Sequence, residues 1–382
     1  MKNKENPFLV KGYVNKELFC DRENEIESLL RNVENGLDTT LLAPRRMGKT
    51  GLIFRFFDEL ETRNPDINAI YVDIFATRSL NDFVKFLAEA ILKKYPEKTG
   101  FGSKFLRFLK GLRPLISYDP LSGEPQVQIL YQTPQEKEYS LKGLLDFLDN
   151  QGRNIVIAID EFQQITEYPE QNIEALLRTY IQQLRHTHFI FCGSRTNMML
   201  NIFSNAKRPF FSSTQYLHLD KIDHDTYKNF IRDTFERYKM SITEEALEFI
   251  LEWTSGHTFY TQSLCNMVFS MKQKQIGIQT VREACRQILK QSEPVFLQYR
   301  QMLTSAQWNF LIAIGKEGSV EHITAKDFIA KYEIGTPANA RRIAQSLVEK
   351  ELLLKEITRD AKTRTTYKVY DIFMSRWLQS TY

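Results

Sequence analysis

The sequence predicts an α/β core built on a parallel sheet, followed by a helical domain and a C-terminal module of helices closed by a hairpin. Three observations carry that prediction. Apolar runs of strand length at residues 39–42, 67–75, 154–160 and 188–194 alternate with stretches of helical spacing, the rhythm of a sheet covered by helices on both faces. From residue 222 to about 291 the apolar spacing is helical, as in Tyr227, Phe230, Ile231 and Phe235. Beyond residue 300, three helical stretches precede two β-like runs at 352–359 and 365–370.

Composition sets the frame for these elements. A chain of 382 residues exceeds one ordinary core and divides into two or three domains. Its 42% hydrophobic and 26% charged residues are those of a soluble globular protein, and a formal net charge of +4 leaves room for nucleic acid only at a local basic region. Cys20, Cys192, Cys265 and Cys285 stand far apart, without a C-x-x-C pair or a histidine at zinc-ligand spacing, which suits a reducing cytoplasm. The first ten residues have no apolar core of signal-peptide length, and no apolar run elsewhere could span a bilayer.

Residues 7–22 read as an extended lead-in, and Asp21 or the Asp21-Arg22 pair, with Asn24 and Glu25, opens a helix whose apolar positions are Ile26, Leu29, Leu30 and Val33. The strand at 39–42 then runs into Ala43, Pro44, Arg45, Arg46, Met47, Gly48, Lys49 and Thr50. This stretch fits the phosphate-loop pattern G-x-x-x-x-G-K-S/T except at its first position, where Ala43 replaces glycine. The pattern has a physical basis. Backbone N–H groups from Pro44 to Gly51 (proline itself excepted) would wrap the phosphates of a nucleotide at a helix N-terminus, and Arg45 and Arg46 add charge to the loop. Gly48 lets the backbone approach without a Cβ, Lys49 reaches the β and γ oxygens, and the Thr50 hydroxyl can ligate Mg²⁺.

Helices at 50–61 and 80–94 flank the strand at 67–75. Residues 95–139, rich in proline and glycine, interrupt the rhythm as an insertion or elaborated crossover. Within it, residues 104–113 form a basic amphipathic segment whose charged face reads either as solvated surface or as a contact for a phosphate backbone or acidic partner. After a helix at 140–150, the run at 154–160 ends in Asp160 and Glu161. A buried strand cannot carry charges inside the sheet, so these carboxylates fall at its C-terminal end, where ligands of open α/β sheets bind. Asp160 would hold Mg²⁺, mostly through water, and Glu161 would polarise the attacking water.

A helix over 171–186 leads to the strand at 188–194, and Ser194 reads as a γ-phosphate sensor or as part of a Gly193-Ser194 turn. His186 and His188 lack a third ligand and are expected at the surface. Arg208 could reach the γ-phosphate of a neighbouring subunit, act in cis, or stay solvated. Breaks at Ser255-Gly256 and Gly277 divide the helical stretch, and residues 292–294 make a boundary. The last stretch, helices at 306–316, 325–332 and 338–349 and then a hairpin, is the winged form of helix-turn-helix. Asn339, Arg342 and Gln345 on its third helix are of types that read base edges, and Lys362 and Arg364 at the wing tip suit phosphates, although winged modules also serve as protein contacts.

Residues 19–23, 43–50, 155–162, 191–194 and 254–262 together resemble the archaeal-type ATPases of the AAA+ superfamily, P-loop NTPases related to the STAND and origin-recognition ATPases. The resemblance implies a three-layer sandwich with five parallel strands over residues 1–220, a helical lid over 221–294 and a winged-helix domain over 295–382. It also implies ATP and Mg²⁺ binding, adenine contacts from the lead-in around Arg22, and Ser194 as the first sensor. Two positions depart from that family: Ala43 stands for glycine, and Thr258 stands where the lid usually has proline, with no arginine beside it. The expected function is a cytoplasmic ATPase switch whose nucleotide state sets the orientation of the winged helix. The alternatives are a DNA-binding regulator with ATP as a structural ligand, and a signalling or defence scaffold that binds a protein partner.

Overall fold

Why the core builds a sheet with two covered faces is legible in how its strands alternate. The computed structural model describes residues 6–96, 98–111, 114–129, 133–359 and 363–382. Residues 11–221 form one compact unit, in the order α1 (Glu23–Glu34), β1 (Thr39–Leu42), α2 (Lys49–Arg63), β2 (Asn68–Asp73), α3 (Leu80–Lys94), α4 (Gly100–Lys110), β3 (Pro114–Tyr118), β4 (Pro125–Ile129), α5 (Pro134–Asp149), β5 (Ile155–Asp160), α6 (Ile173–Ile181), β6 (Thr187–Gly193), α7 (Thr196–Ser204) and β7 (Gln215–His218). Five strands make a wholly parallel sheet in the order β2-β5-β6-β1-β7.

Alternate residues of each strand feed opposite layers. Ala69 and Tyr71 of β2, Val156 and Ala158 of β5, Ile190 and Cys192 of β6 and Leu41 of β1 pack with α1 and α2. Their neighbours Ile70, Val72, Ile155, Ile157, Ile159, Phe189, Phe191 and Leu42 pack with α3, α5, α6 and α7. This alternation has a consequence for the site. Asp160 shares a strand face with Val156 and Ala158, so it points toward α2.

Several elements differ from the sequence reading. The fifth strand, β7, is an edge strand with mostly exposed residues, so no apolar run announces it. The first helix starts at Glu23 with Arg22 as its cap in a left-handed conformation (φ 84°), so of the Asp21-Arg22 pair it is Arg22 that caps. His188 is buried on β6, where burial pushes its imidazole below the usual range, while His186 is exposed as expected. The interruption at 95–139 contains α4 and the antiparallel hairpin β3-β4. Phe105, Leu106 and Leu109 of α4 are buried while Lys104, Arg107 and Lys110 are exposed, the amphipathic division that the sequence implies.

Residues 222–382, with the chain up to Val10, form the second compact unit. Its elements are α8 (His224–Arg237), β8 (Ser241–Ile242), α9 (Glu244–Trp253), α10 (Thr258–Ser270), β9 (Gln275–Ile276), α11 (Ile278–Met302), α12 (Ser305–Glu317), α13 (Lys326–Lys331), α14 (Pro337–Glu349), β10 (Leu353–Arg359), β11 (Thr363–Val369) and α15 (Ile372–Thr381). Local chemistry sets the helix starts. Thr304 and Gln307 form a capping box at α12, and Thr336 caps α14 with Pro337 in its first turn.

Residues 292–294 lie inside α11, which continues through Pro294 because Phe296 and Glu293 are held by Trp377 of α15. That last helix was not expected from the sequence. The Arg376 guanidinium donates to the carbonyls of Trp253 and Glu252 at 3.0 and 3.1 Å, and Phe373 packs edge-on against Tyr260. The helical stretch and the winged helix are therefore tied through α15. Asn6 and Asn266 clasp each other's segments, and Phe8 is buried against Phe235, so residues 6–10 strap onto this unit. Lys362, expected at the wing tip, lies outside the described residues. No described helix is long and apolar enough to cross a membrane.

Candidate functional site

The site forms where the loop after β1 meets the C-terminal ends of β5 and β6, the crevice in which open parallel sheets bind ligands. Gly48 caps α2 with φ 90°, a left-handed conformation that strains any side chain, and as glycine it offers no side chain to cap the helix's first N–H groups. Lys49 and Thr50 occupy the first turn. Gly51 is closely packed, since a Cβ there would lie 3.2 Å from the Phe19 ring. Ala43 does not adopt positive φ, and its methyl group is buried in the cluster under α2, so this position tolerates alanine.

Two acidic residues converge on that turn. Asp160 Oδ1 lies 2.8 Å from Lys49 Nζ and accepts from the Glu161 amide at 2.9 Å, while Oδ2 accepts from the Thr50 hydroxyl at 3.1 Å and the Tyr71 hydroxyl at 2.9 Å. Lys49 Nζ also stands 3.6 Å from Glu161 Oε1. Burial works against the Lys49 charge, but Asp160 and Glu161 outweigh it and hold the ammonium above its ordinary range. Burial and the neighbouring Asp160 raise the Tyr71 phenol, which stays a neutral donor.

Glu161 follows the strand in a left-handed conformation (φ 56°), which turns its side chain toward β6. Its Oε2 accepts from the Ser194 hydroxyl at 2.8 Å, the Ser194 amide at 3.3 Å and the Gln163 amide at 2.5 Å. At the end of β2, Asp73 is paired in register with Asp160, and desolvation together with the charges of Asp160 and Glu161 pushes its carboxyl above the usual range.

The structure thus brings together Lys49, Thr50, Asp160, Glu161 and Ser194. The other expected residues differ in exposure and partners. The Met47 side chain is buried in the core, so only its backbone is available to a ligand, whereas Pro44 and Arg46 are exposed and Arg45 half-buried. Arg22 is buried, and its guanidinium donates to the Asp220 carbonyl at 2.6 Å and to Glu25 at 2.8 Å. Arg208 pairs with buried Glu174 at 2.9 Å. Desolvation raises the Glu174 carboxyl, against the pull of Arg208.

Tyr71 and Gln163 were missed by sequence reasoning. Tyr71 sits in an apolar run, and only the pairing of β2 with β5 sets it beside Asp160. Gln163 follows the acidic pair closely, a proximity that could have flagged it.

This fold and site define a P-loop ATPase domain carried with a C-terminal winged helix. Two family descriptions match the chain: "ATPase domain predominantly from Archaea" over residues 19–264, and "Probable winged helix domain" over residues 294–380. The chain belongs to this archaeal-type ATPase family. Among solved structures it is similar to the Walker-type ATPase PABY2304 of Pyrococcus abyssi, with 19% identity, a TM-score of 0.66, and 98% of this chain and 99% of that one covered. It is also similar to the Aeropyrum pernix ORC2 protein in ADPNP-ADP complexes (14% identity, TM-score 0.58, 99% and 98% covered). A third likeness is to the Aeropyrum pernix ORC1 protein in complex with DNA (13% identity, TM-score 0.54, 99% and 97% covered). No curated protein matches the chain.

Proposed function

We propose that this chain binds ATP with Mg²⁺ and hydrolyses it to ADP and phosphate as a conformational switch. One observation carries the reading: Lys49 and Thr50, on the first turn of a helix capped by left-handed Gly48, both contact Asp160 at the end of β5. The donor set fits the ligands. A hydroxyl and a carboxylate are the hard oxygen donors that suit Mg²⁺, and Thr50 and Asp160 would hold it. The N–H groups of the loop and the Lys49 ammonium would hold phosphate oxygens. When bound, the metal neutralises charge on the phosphates. Glu161 takes the proton of the attacking water at its Oε1, and Ser194 holds its other oxygen.

The test is steady-state phosphate release by the full chain and by Glu161→Gln. The expected loss is at least about a hundredfold, the share of a general base, with ATP still bound. Equal, near-zero rates in both would favour a regulator for which ATP is only a structural ligand.

The switch acts through the chain segments that leave the core. Gly12 and Phe19 lie against Gly51 at the start of α2, and Arg22 is pinned to Asp220, two residues before the second unit begins. Residues 222–291 and the winged helix move together, because α15 ties them. Distances between spin labels in the two units, with and without a non-hydrolysable ATP analogue, test this; identical distributions would refute it.

A second reading, duplex DNA binding, is favoured by α14, which exposes Arg341, Arg342 and Gln345. Asn339 is half-buried, Gln345 donates to Glu349, and Arg364 is exposed at 4.0 Å from Glu321. The ORC1 protein of similar fold is a DNA complex. DNA binding that weakens steeply with salt would support this reading, and none at moderate salt would leave a protein partner as the alternative.

A further inference from the structure

We propose that Gln163 is a positioning residue for hydrolysis, fixing the carboxylate of Glu161 so that a single oxygen is left for the reacting water; this rests on the ATPase reading above. The Gln163 amide at 2.5 Å and the Ser194 hydroxyl at 2.8 Å meet on Oε2 of Glu161. With those donors in place the carboxylate cannot rotate freely. The oxygen facing Lys49, Oε1, remains the proton acceptor.

The backbone prepares this arrangement. Left-handed Glu161 leads into the tight turn Phe162–Glu167, so the side chain of Gln163 folds back on that of Glu161. A cradle is built around the amide. Gln163 is 4% exposed, and a Cβ on Gly193 would lie 2.2 Å from its Oε1 and 2.6 Å from the Met199 Cγ. Glycine at 193 therefore leaves the volume that the amide fills.

The other end of the amide is informative. Among the described residues, Gln163 Oε1 is buried with no hydrogen-bond partner. Flipping the amide would set that oxygen against the Glu161 carboxylate, so the carboxylate dictates the orientation. Packing alone would be served better by an apolar side chain of similar size, because a buried unsatisfied acceptor is unfavourable. What the amide supplies is its bond to Glu161.

The experiment uses the full chain with saturating ATP and Mg²⁺, and compares Gln163→Leu, which removes the donor, with the near-isosteric Gln163→Glu, which repels Glu161. Phosphate release gives kcat, and a fluorescent ATP analogue gives affinity. Both variants are expected to lose about tenfold to a hundredfold in kcat, the effect of one hydrogen bond to a charged group, with affinity within about twofold of wild type. A kcat within about twofold of wild type in Gln163→Glu would overturn the proposal. So would affinity that falls in step with the rate, because the residue would then hold the fold and not the carboxylate. A wild-type chain that binds ATP without releasing phosphate would remove the hydrolysis reading itself, an outcome visible before either variant is measured.

Discussion

Replacing Lys49 by alanine deletes the cation nearest two carboxylates, and the structure sets the size of the effect. The Lys49 and Asp160 side chains are 9% and 6% exposed and stand 2.8 Å apart, so water does little to replace the lost partner. Removing one member of a buried ion pair costs about 3–5 kcal/mol. The Thr50, Tyr71 and Glu161 donors to Asp160 remain, which puts the expected loss at the lower end, about 3 kcal/mol. The folded-state shift of Lys49 is upward, so this stabilisation is fully present below the unfolded lysine value and is lost only as pH rises through the folded one. It is therefore intact near neutrality. Trp253, Trp308 and Trp377 all lie in the second unit, so tryptophan fluorescence would report on the wrong part of the chain. Hydrogen exchange of the β5 amides is the suitable assay, with exchange about a hundredfold faster in Lys49→Ala and largely restored in Lys49→Ala/Asp160→Asn. ATP affinity should fall about tenfold to a hundredfold in the single variant. Wild-type exchange together with wild-type ATP affinity would refute the phosphate-loop assignment.

Three further outcomes are expected. Asp38 accepts from the Phe189 amide at 2.8 Å, and burial pushes its carboxyl up to about 6. Its ionisation thus opposes folding increasingly as pH rises from the unfolded value toward 6. Asp38→Asn should stabilise the core by up to about 3 kcal/mol at pH 7.5 and by little at pH 4, as read by urea unfolding. Gly193→Ala forces a Cβ against Gln163 and Met199, and should both destabilise by about 1–3 kcal/mol and slow phosphate release; an unchanged rate would contradict the cradle. Arg208→Ala should lower hydrolysis only if subunits associate, and mixing it with Glu161→Gln should then restore activity; a fully active monomer would remove a role in trans.

Locally encoded features were open to reading from residue order alone. Apolar runs located four of the five strands, and the glycine-lysine-threonine turn and the Asp160-Glu161 pair marked residues that the fold brings into contact. Threonine caps and the proline after Thr336 likewise announce helix starts, because capping needs only neighbouring atoms. The exposed edge strand β7 carried too few apolar residues to signal itself, and α15 depends on packing against α11 and α12. Tertiary structure alone decided which side chains complete the site. Tyr71 reaches Asp160 across 89 positions of sequence because β2 pairs with β5, and Arg208 meets Glu174 because two connections return to one face of the sheet. Periodicity and turn chemistry are short-range and fix each element, whereas strand order and register are long-range and fix which elements share a hydrogen bond.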